Sequence, residues 1–368
     1  MGVSACKYPD AGCRADTGRR HDPDAARKTA QPRHSRGAGW VLILWLWPLA
    51  TAADVLRIAT YAAPLTRDGP GLLLRDILRG DDPQVTAHAA IIAQADPDLL
   101  VLTDFDYDLD SIALRAFAAL FDPPYPYLFA ARPNTGMPTG QDIDRNGRLG
   151  EPRDAQGYGL FNGQGGMAIL SRLPIDAGGV TDLSALLWRD LPGADLPVLD
   201  GGPFFAPAVL DVLRLSTTGH WIVPVLPPDA PPFAIMAYAA SPPAFDGPER
   251  RNIRRNRDEL RLWEQVLAGH FGPVPDDFVI TGNTNLDPQR GKGDRAAMAA
   301  FLAHPLVQDP LAGQPTADWR AIGLGKLRVS YVVPSRGWQV VDARVVWPVP
   351  DGDPAFGAHH LVWVDLAR

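Results

Sequence analysis

The chain has 368 residues, of which 46% are apolar and 21% charged, a composition typical of a globular protein with a buried core. Its 37 prolines and 35 glycines recur without a period, which excludes collagen-like and low-complexity sequences and indicates long, ordered loops. The formal net charge of −7 disfavours sequence-independent binding of nucleic acid, which proteins engage with basic surfaces.

The N-terminus is typical of an export signal. Residues 1–38 are a basic leader, expected to be disordered or to result from a start codon placed too far upstream. Residues 39–52 are uncharged and apolar, and this run is shorter than the ~20 residues that span a membrane. Ala50 and Ala52 provide a small-residue cleavage site. We therefore predict a cleaved signal and a periplasmic or extracellular protein, with an uncleaved anchor as the alternative.

Removal of this signal would change the chemistry that is available. Both cysteines, Cys6 and Cys13, lie in the leader, so cysteine-based catalysis, metal binding and disulfides are excluded from the mature chain. The leader also holds 8 of the 35 basic and 4 of the 42 acidic residues, which leaves a net charge of −11. We expect no membrane contact beyond the signal, and we expect a monomer.

Residues 53–368 are predicted to form a single domain. Helices are predicted at 85–94 and 249–268, where apolar residues recur at helical spacing. The Pro-rich segment 191–207 is predicted to be a surface loop. Apolar, β-rich runs predict strands at 56–61, 99–103, 167–171, 209–215, 233–239, 278–281, 328–333, 338–346 and 361–365. The alternation of strands and helices indicates a layered α/β fold with mixed sheets.

Seven stretches of this pattern, taken in order, carry a family resemblance. They are LRIATY (56–61), PDLLVLTDFDYD (97–108), GMAILSRLPI (166–175), PPAFDGPERRN (242–252), GNTNLDP (282–288), RVSYVVPSRG (328–337) and HHLVWVDL (359–366). Through them the chain resembles the endonuclease/exonuclease/phosphatase superfamily, in particular a secreted bacterial branch. The resemblance implies a deoxyribonuclease-like, four-layer sandwich of two mixed β-sheets flanked by helices, with the active site at one end of the sheets.

The family hydrolyses phosphate esters with a divalent metal, usually Mg²⁺, and the resemblance implies a position for each of its catalytic residues. Three remnants are expected: Asp104 in place of the metal-binding Glu, the second Asn at Asn285, and the phosphate-binding His at His359. Five family positions are substituted, namely Ala62, Ala239, Asn283, Ser330 and Ala358. Mg²⁺ or Mn²⁺ at Asp104 would therefore be held weakly.

These substitutions remove most of the chemistry that the family needs. An Asn at position 283 cannot take a proton from water, and His359 lacks the orienting carboxylate expected at 330 or 358. The leading hypothesis is a catalytically impaired pseudoenzyme whose cleft binds a phosphate-bearing small molecule or a protein. One alternative is an active phosphomonoesterase or phosphodiesterase with a rearranged metal site that uses Asp104 and its neighbours. Another is a calcium-stabilised secreted interaction scaffold.

Three charged clusters leave further alternatives open. Asp142, Asp144 and Asn146 match the first half of an EF-hand-like loop; with Asp154 they could hold a structural Ca²⁺ or form a plain turn. The alternating aspartates of residues 104–110 could hold a metal or be a solvated loop. The basic run 250–257 could bind phosphate or be a solvated helix face.

Overall fold

The structure, a computed structural model, describes residues 55–348 and 356–368. The predicted leader, the signal segment and both cysteines lie outside the described residues. The helices are α1 (Leu72–Arg79), α2 (Pro83–Ala95), α3 (Ile112–Ala118), α4 (Pro207–Leu210), α5 (Arg251–Leu267) and α6 (Arg295–Leu302). The strands are β1 (Leu56–Leu65), β2 (Leu99–Phe105), β3 (Tyr127–Phe129), β4 (Gly166–Ser171), β5 (Thr181–Asp182), β6 (Val198–Leu199), β7 (Gly202–Pro203), β8 (Gly219–Val225), β9 (Phe233–Ala239), β10 (Phe278–Asn283), β11 (Ala317–Trp319), β12 (Gly325–Leu327), β13 (Ser330–Pro334), β14 (Gln339–Val346) and β15 (Leu361–Ala367).

Eleven of these strands form two main sheets. The first sheet has the order β14-β15-β1-β2-β4-β3, and the second has the order β13-β10-β9-β8-β5. β1 and β2 are parallel in the first sheet, as are β9 and β10 in the second, while the other neighbours are antiparallel. Both sheets are therefore mixed, and the predicted α/β class is confirmed.

Alternating side chains divide the core into layers. In β9, Ile235 and Ala237 belong to the core that the two sheets share, whereas Met236 and Tyr238 pack on the other face with residues of α5. In β1, Ile58 faces the shared core and Ala59 faces the core that includes residues of α1, α2 and α3. Because successive residues of a strand point to opposite faces, each sheet is buried on both sides and helices form the outer layers.

One predicted strand is wrong, and seven of the observed strands were not predicted, of which β8 is the longest. Residues 209–215 are mostly apolar, but α4 and a loop occupy this segment, where Val209, Leu213 and Leu215 are buried. The backbone N–H of Leu213 donates to Val209 O at 2.8 Å, which closes a helical turn. The apolar run thus fills a core without pairing in a main sheet. β8 was not predicted, since Gly219 and Pro224 interrupt its pattern.

None of the helices within residues 55–348 and 356–368 is long and apolar enough to cross a bilayer.

Three buried polar residues of α5 fasten the ends of the strands. Arg255 donates to four backbone carbonyls, including Leu215 O at 2.8 Å and Gln156 O at 2.6 Å. Burial lowers the pKa of the Arg255 guanidinium to about 10. The Glu259 carboxylate accepts from the backbone N–H groups of Thr217, at 2.5 Å, and Ser241, at 2.7 Å.

Asn256 lies between these two charged residues and bridges β9 and β10. Its Nδ2 donates to Ser241 O at 2.7 Å and to Thr284 O at 2.8 Å, and the side chain is fully buried. Ser241 follows the end of β9 and Thr284 follows the end of β10. One amide group therefore holds together the two loops that leave these parallel strands.

We predict that Asn256→Ala lowers the free energy of unfolding by about 2–4 kcal/mol, because two buried carbonyls lose their donor. The matched control is Asn252→Ala, one helical turn earlier, where a half-buried amide donates only to Ala244 O. Urea unfolding followed by circular dichroism measures both variants. Equal losses of unfolding free energy in the two variants would show that the Asn256 bridge stabilises the fold no more than the single hydrogen bond of Asn252 does.

Candidate functional site

The substituted family positions meet at one end of the two sheets. Ala239 lies opposite Asn283, and Asn283 lies opposite Ser330, so three neighbouring strands bring these residues into one row. In the first sheet Ala62 lies opposite Thr103, and Asp104 follows directly. β1, β2, β9 and β10 all reach this end with their carboxyl termini, where loops of α/β sheets commonly form binding sites.

His359 and Ala358 reach the same row through the β11 segment. His359 forms an isolated bridge with Ala317, and Ala358 O accepts from the backbone N–H of Asp318 at 2.8 Å. The neighbouring Thr316 Oγ1 accepts from the backbone N–H of Ser330 at 3.0 Å. The structure therefore brings His359, Ala358 and Ser330 together, as the resemblance implied, but without a carboxylate at either partner position.

Asn285 adopts a left-handed backbone conformation directly after β10, with φ of 54°. Its Nδ2 donates to Ala240 O at 2.8 Å, and its backbone N–H donates to Asn283 Oδ1 at 3.3 Å. The two amide side chains are thus tied into the ends of β9 and β10. Neither of them can supply an anionic ligand or accept a proton at neutral pH.

Asp104 is the remaining carboxylate in this group. Its φ of 61° is left-handed, which is uncommon for a residue with a side chain and recurs at functional sites. The carboxylate has no hydrogen-bond or ion-pair partner within 55–348 and 356–368. Desolvation and, secondly, the nearby charge of Asp106 raise its pKa to about 6.

Two other aspartates of the 104–110 loop accept hydrogen bonds, mainly from backbone N–H groups. Asp106 accepts from Thr66 Oγ1 at 2.7 Å and from the Arg67 and Gly165 N–H groups at 2.8 and 2.9 Å. Asp108 accepts from the first two N–H groups of α3, at 2.6 and 2.7 Å. Among the described residues, the three acidic side chains that converge closely enough to share an ion lie elsewhere, in the 142–154 loop.

His359 is half-buried and packs edge-on against Trp319, with ring centroids 5.0 Å apart. Its Nδ1 is buried and has no hydrogen-bond partner among the described residues. Desolvation and, secondly, the charge of His360 lower the pKa of His359 to about 4. The imidazole is therefore neutral at physiological pH, and no carboxylate fixes its tautomer.

The donor set at this end does not fit a tightly bound Mg²⁺. Mg²⁺ binds best to anionic oxygens in octahedral geometry. Here Asp104 offers one carboxylate, and the side-chain amides of Asn283 and Asn285 are neutral and hydrogen-bonded to backbone groups. We therefore derive no catalytic step through a metal at this position.

The predicted calcium loop does form an acidic triad. Ligand oxygens of Asp142, Asp144 and Asp154 all lie within 4.8 Å of one another. Asp154 is buried and accepts from the Ile143 N–H at 2.9 Å, and Asp142 accepts from the Gly147 N–H at 2.8 Å. Asn146 is differently engaged, because its Oδ1 accepts from the Arg148 N–H at 2.8 Å. Asp144 Oδ1 is buried without a hydrogen-bond partner among the described residues.

The basic run 250–257 divides into an inner and an outer group, which sequence alone did not show. Arg255 points into the core, as described above. Arg254 pairs with Asp195, and Arg257 pairs with Asp195 at 3.2 Å and with Asp294 at 3.3 Å. Sequence analysis did not single out Asp195, which comes from a loop 59 residues earlier. No local pattern could have indicated this contact.

Comparisons with known proteins place this arrangement in one family. The profile described as "Endonuclease/Exonuclease/phosphatase family" matches residues 76–353. A solved endonuclease/exonuclease/phosphatase from Beutenbergia cavernae DSM 12333 is 17% identical and covers 85% of this chain and 71% of its own, with a TM-score of 0.54. A family protein from Leptotrichia buccalis C-1013-b is 12% identical and covers 85% of this chain and 100% of its own, with a TM-score of 0.49.

Sphingomyelinase C from Streptomyces griseocarneus is 16% identical and covers 86% of this chain and 100% of its own, with a TM-score of 0.45. No curated protein matches the chain in sequence. At these identities the first solved structure supports the fold, while the profile extends over well more than half of the chain. The protein belongs to the endonuclease/exonuclease/phosphatase family.

Proposed function

We propose that this protein is an exported, catalytically impaired phosphoesterase homologue that binds a phosphate-bearing small molecule or a protein through its retained cleft. The observation that carries the proposal is the composition of the row at the end of the sheets. Ala239, Asn283 and Ser330 lie side by side where the resemblance expects His, Asp and Asp. The proposal treats the chain as a monomer.

The state of the remaining groups supports impaired chemistry. Hydrolysis of a phosphate ester needs a base to take a proton from water and cationic groups to stabilise the developing charge. The neutral His359 provides no positive charge, and Asn283 cannot act as a base. Removal of one such general acid or base typically costs about 10²–10⁴-fold in rate, and here several are absent together.

Export is supported by the sequence alone. Residues 39–52 have the apolar core and small-residue end of a signal, and no cysteine follows Cys13. The described helices offer no alternative membrane span. Fractionation of cells that produce the full chain tests export; a product confined to the cytoplasm at full length would contradict it.

We predict that the unmodified protein does not hydrolyse p-nitrophenyl phosphate or bis-p-nitrophenyl phosphate above background with Mg²⁺, Mn²⁺ or Ca²⁺. A variant that combines Asn283→Asp, Ala358→Asp, Ser330→Asp and Ala239→His is expected to gain metal-dependent turnover. Because Ser330 is buried, circular dichroism must first show that the variant folds, and Asn283→Asp alone is the milder companion.

The alternative of an active phosphoesterase with a rearranged site makes the opposite prediction for the same assay. Metal-dependent turnover by the unmodified protein that disappears in His359→Ala would overturn the proposal. The matched control is His270→Ala, which replaces an exposed histidine at the end of α5. Turnover that persists in His359→Ala would point to a contaminating phosphatase.

Asp104 allows a test of whether its site holds a cation. Its folded-state pKa of about 6 lies above the ordinary 3.8, so the folded protein binds more protons than the unfolded chain between these values. Its contribution to stability is therefore lost as pH rises through about 6. We predict that, in EDTA, Asp104→Asn raises the free energy of unfolding by on the order of 1–2 kcal/mol at pH 7.5 and has no effect at pH 3.5.

Urea unfolding at the two pH values measures this difference, and Asp110→Asn is the matched control. Asp110 is exposed on the same loop, and its substitution should leave stability unchanged at both pH values. A loss of stability in Asp104→Asn at pH 7.5 would contradict the prediction. A gain in wild-type stability with Mg²⁺ that is absent in Asp104→Asn would show a cation at this carboxylate.

We also propose that the acidic triad binds a structural Ca²⁺, which favours the scaffold hypothesis as a second candidate. Three carboxylates converge there, and the loop has the Asp-x-Asp-x-Asn-Gly pattern of calcium ligands. We predict that Ca²⁺ at about one hundred times its Kd stabilises the folded state by about 2.7 kcal/mol, because the ion binds only the folded protein.

Thermal unfolding in Ca²⁺ and in EGTA measures this stabilisation. Asp144→Asn should abolish the response, whereas Asp200→Asn, on an exposed turn outside the triad, should keep it. The same melting temperature in Ca²⁺ and in EGTA would contradict the calcium proposal and would leave the proposal of impaired catalysis unaffected.

A further inference from the structure

A cavity of about 590 Å³ lies beside the start of α5, and none of the substituted family positions lines it. Four arginines and two aspartates line it: Arg250, Arg254, Arg257, Arg295, Asp195 and Asp294. We refer to these six residues as the arginine pocket. Cavities of about 300–1,000 Å³ commonly hold small-molecule ligands, so this one is large enough for more than a single ion.

The charges of the arginine pocket do not balance. Asp195 pairs with both Arg254 and Arg257, and Asp294 pairs with Arg257 at 3.3 Å. Arg250 and Arg295 form no ion pair with any carboxylate of the described chain. The lining therefore carries a formal charge of +2, in a protein whose net charge is −7.

A donor in the wall of the pocket is also unused. Arg254 Nε is buried and has no hydrogen-bond acceptor among the described residues. A buried donor without an acceptor is costly, so the pairing with Asp195 leaves Arg254 incompletely satisfied.

The start of α5 breaks a local rule of helix electrostatics. Anionic side chains are favoured in the first turn of a helix, but this turn has none and contains Arg251 and Arg254. Asp246 compensates in part by accepting from the backbone N–H groups of Asn252 and Ile253, at 2.6 and 3.0 Å. Repulsion remains among the arginines, and a bound anion would relieve it.

We propose that the arginine pocket is a binding site for a phosphorylated small molecule. Guanidinium groups match phosphate oxygens in pairs, and two uncompensated charges suit one dianionic phosphate group. The pocket is lined by residues of α5 and α6, by the loop that leaves β10 and by Asp195. The inference is independent of whether the family site turns over a substrate.

The first test is isothermal titration calorimetry of the full mature chain with pyrophosphate at constant ionic strength. Saturable binding is expected, and the double variant Arg250→Gln/Arg295→Gln should weaken it by roughly tenfold or more, since two charge-assisted contacts are lost. Both side chains are exposed and form no ion pair with a described residue, so the variant should fold normally. Arg290→Gln, exposed on the same loop but outside the pocket, is the matched control and should bind like the wild type.

Three results would overturn the proposal. The first is the absence of saturable pyrophosphate binding, and the second is unchanged affinity in the double variant. The third is equal affinity for citrate, which would show a general anion site without preference for phosphate. Because the assay measures binding and not turnover, its outcome is separate from the hydrolysis experiment.

Discussion

The structure depends on one constraint, which is that the loops at the carboxyl ends of β9 and β10 must be held by polar groups from inside the protein. Asn256 provides the central bridge, and Arg255 and Glu259 extend it to the segments around Leu215 and Ser241. These backbone groups lie out of reach of water and need protein partners. The buried polar residues of α5 provide these partners, which apolar side chains could not do.

This constraint explains how the fold can accept neutral residues at the site. Ala239, Asn283 and Ser330 are positioned by strand pairing and by the α5 network, neither of which requires a catalytic side chain at those positions. Several carboxylates gathered without a metal would repel one another; at Asp104 the charge of Asp106 already adds to desolvation, the larger cause, in raising the pKa. Neutral residues at these positions therefore relieve strain, in keeping with the general opposition between stability and activity.

The sequence predicted the fold well where apolar periodicity and local chemistry agree. β2, β4 and β15 follow apolar runs, and α5 follows a helical stripe. The prediction failed at residues 209–215, because an apolar run can fill a core from a short helix and a loop. β8 was not recognised, because strand pairing tolerates Gly219 and Pro224 despite their low propensity.

At the site, the sequence indicated contacts within one loop but not contacts between segments that are distant in the chain. The aspartates of the acidic triad were recognised as candidates for a shared ion because they lie within one loop, and the structure brings them together. The roles of Asp106 and Asp108 as acceptors for backbone N–H groups were not, since the alternation of charges does not show which donors face them. Contacts such as Arg254 with Asp195 follow only from the tertiary fold.

The two faces of α5 also separate stability from recognition. Arg255 points inward, where four carbonyls use its donors and burial lowers its pKa. Arg250 and Arg254 line the arginine pocket, where they oppose the helix dipole; Arg254 pairs with Asp195, whereas Arg250 forms no ion pair with a described residue. Local rules are broken most often where a site is functional. Arg255 therefore stabilises the fold, whereas binding of an anion is the better explanation for Arg250 and Arg254.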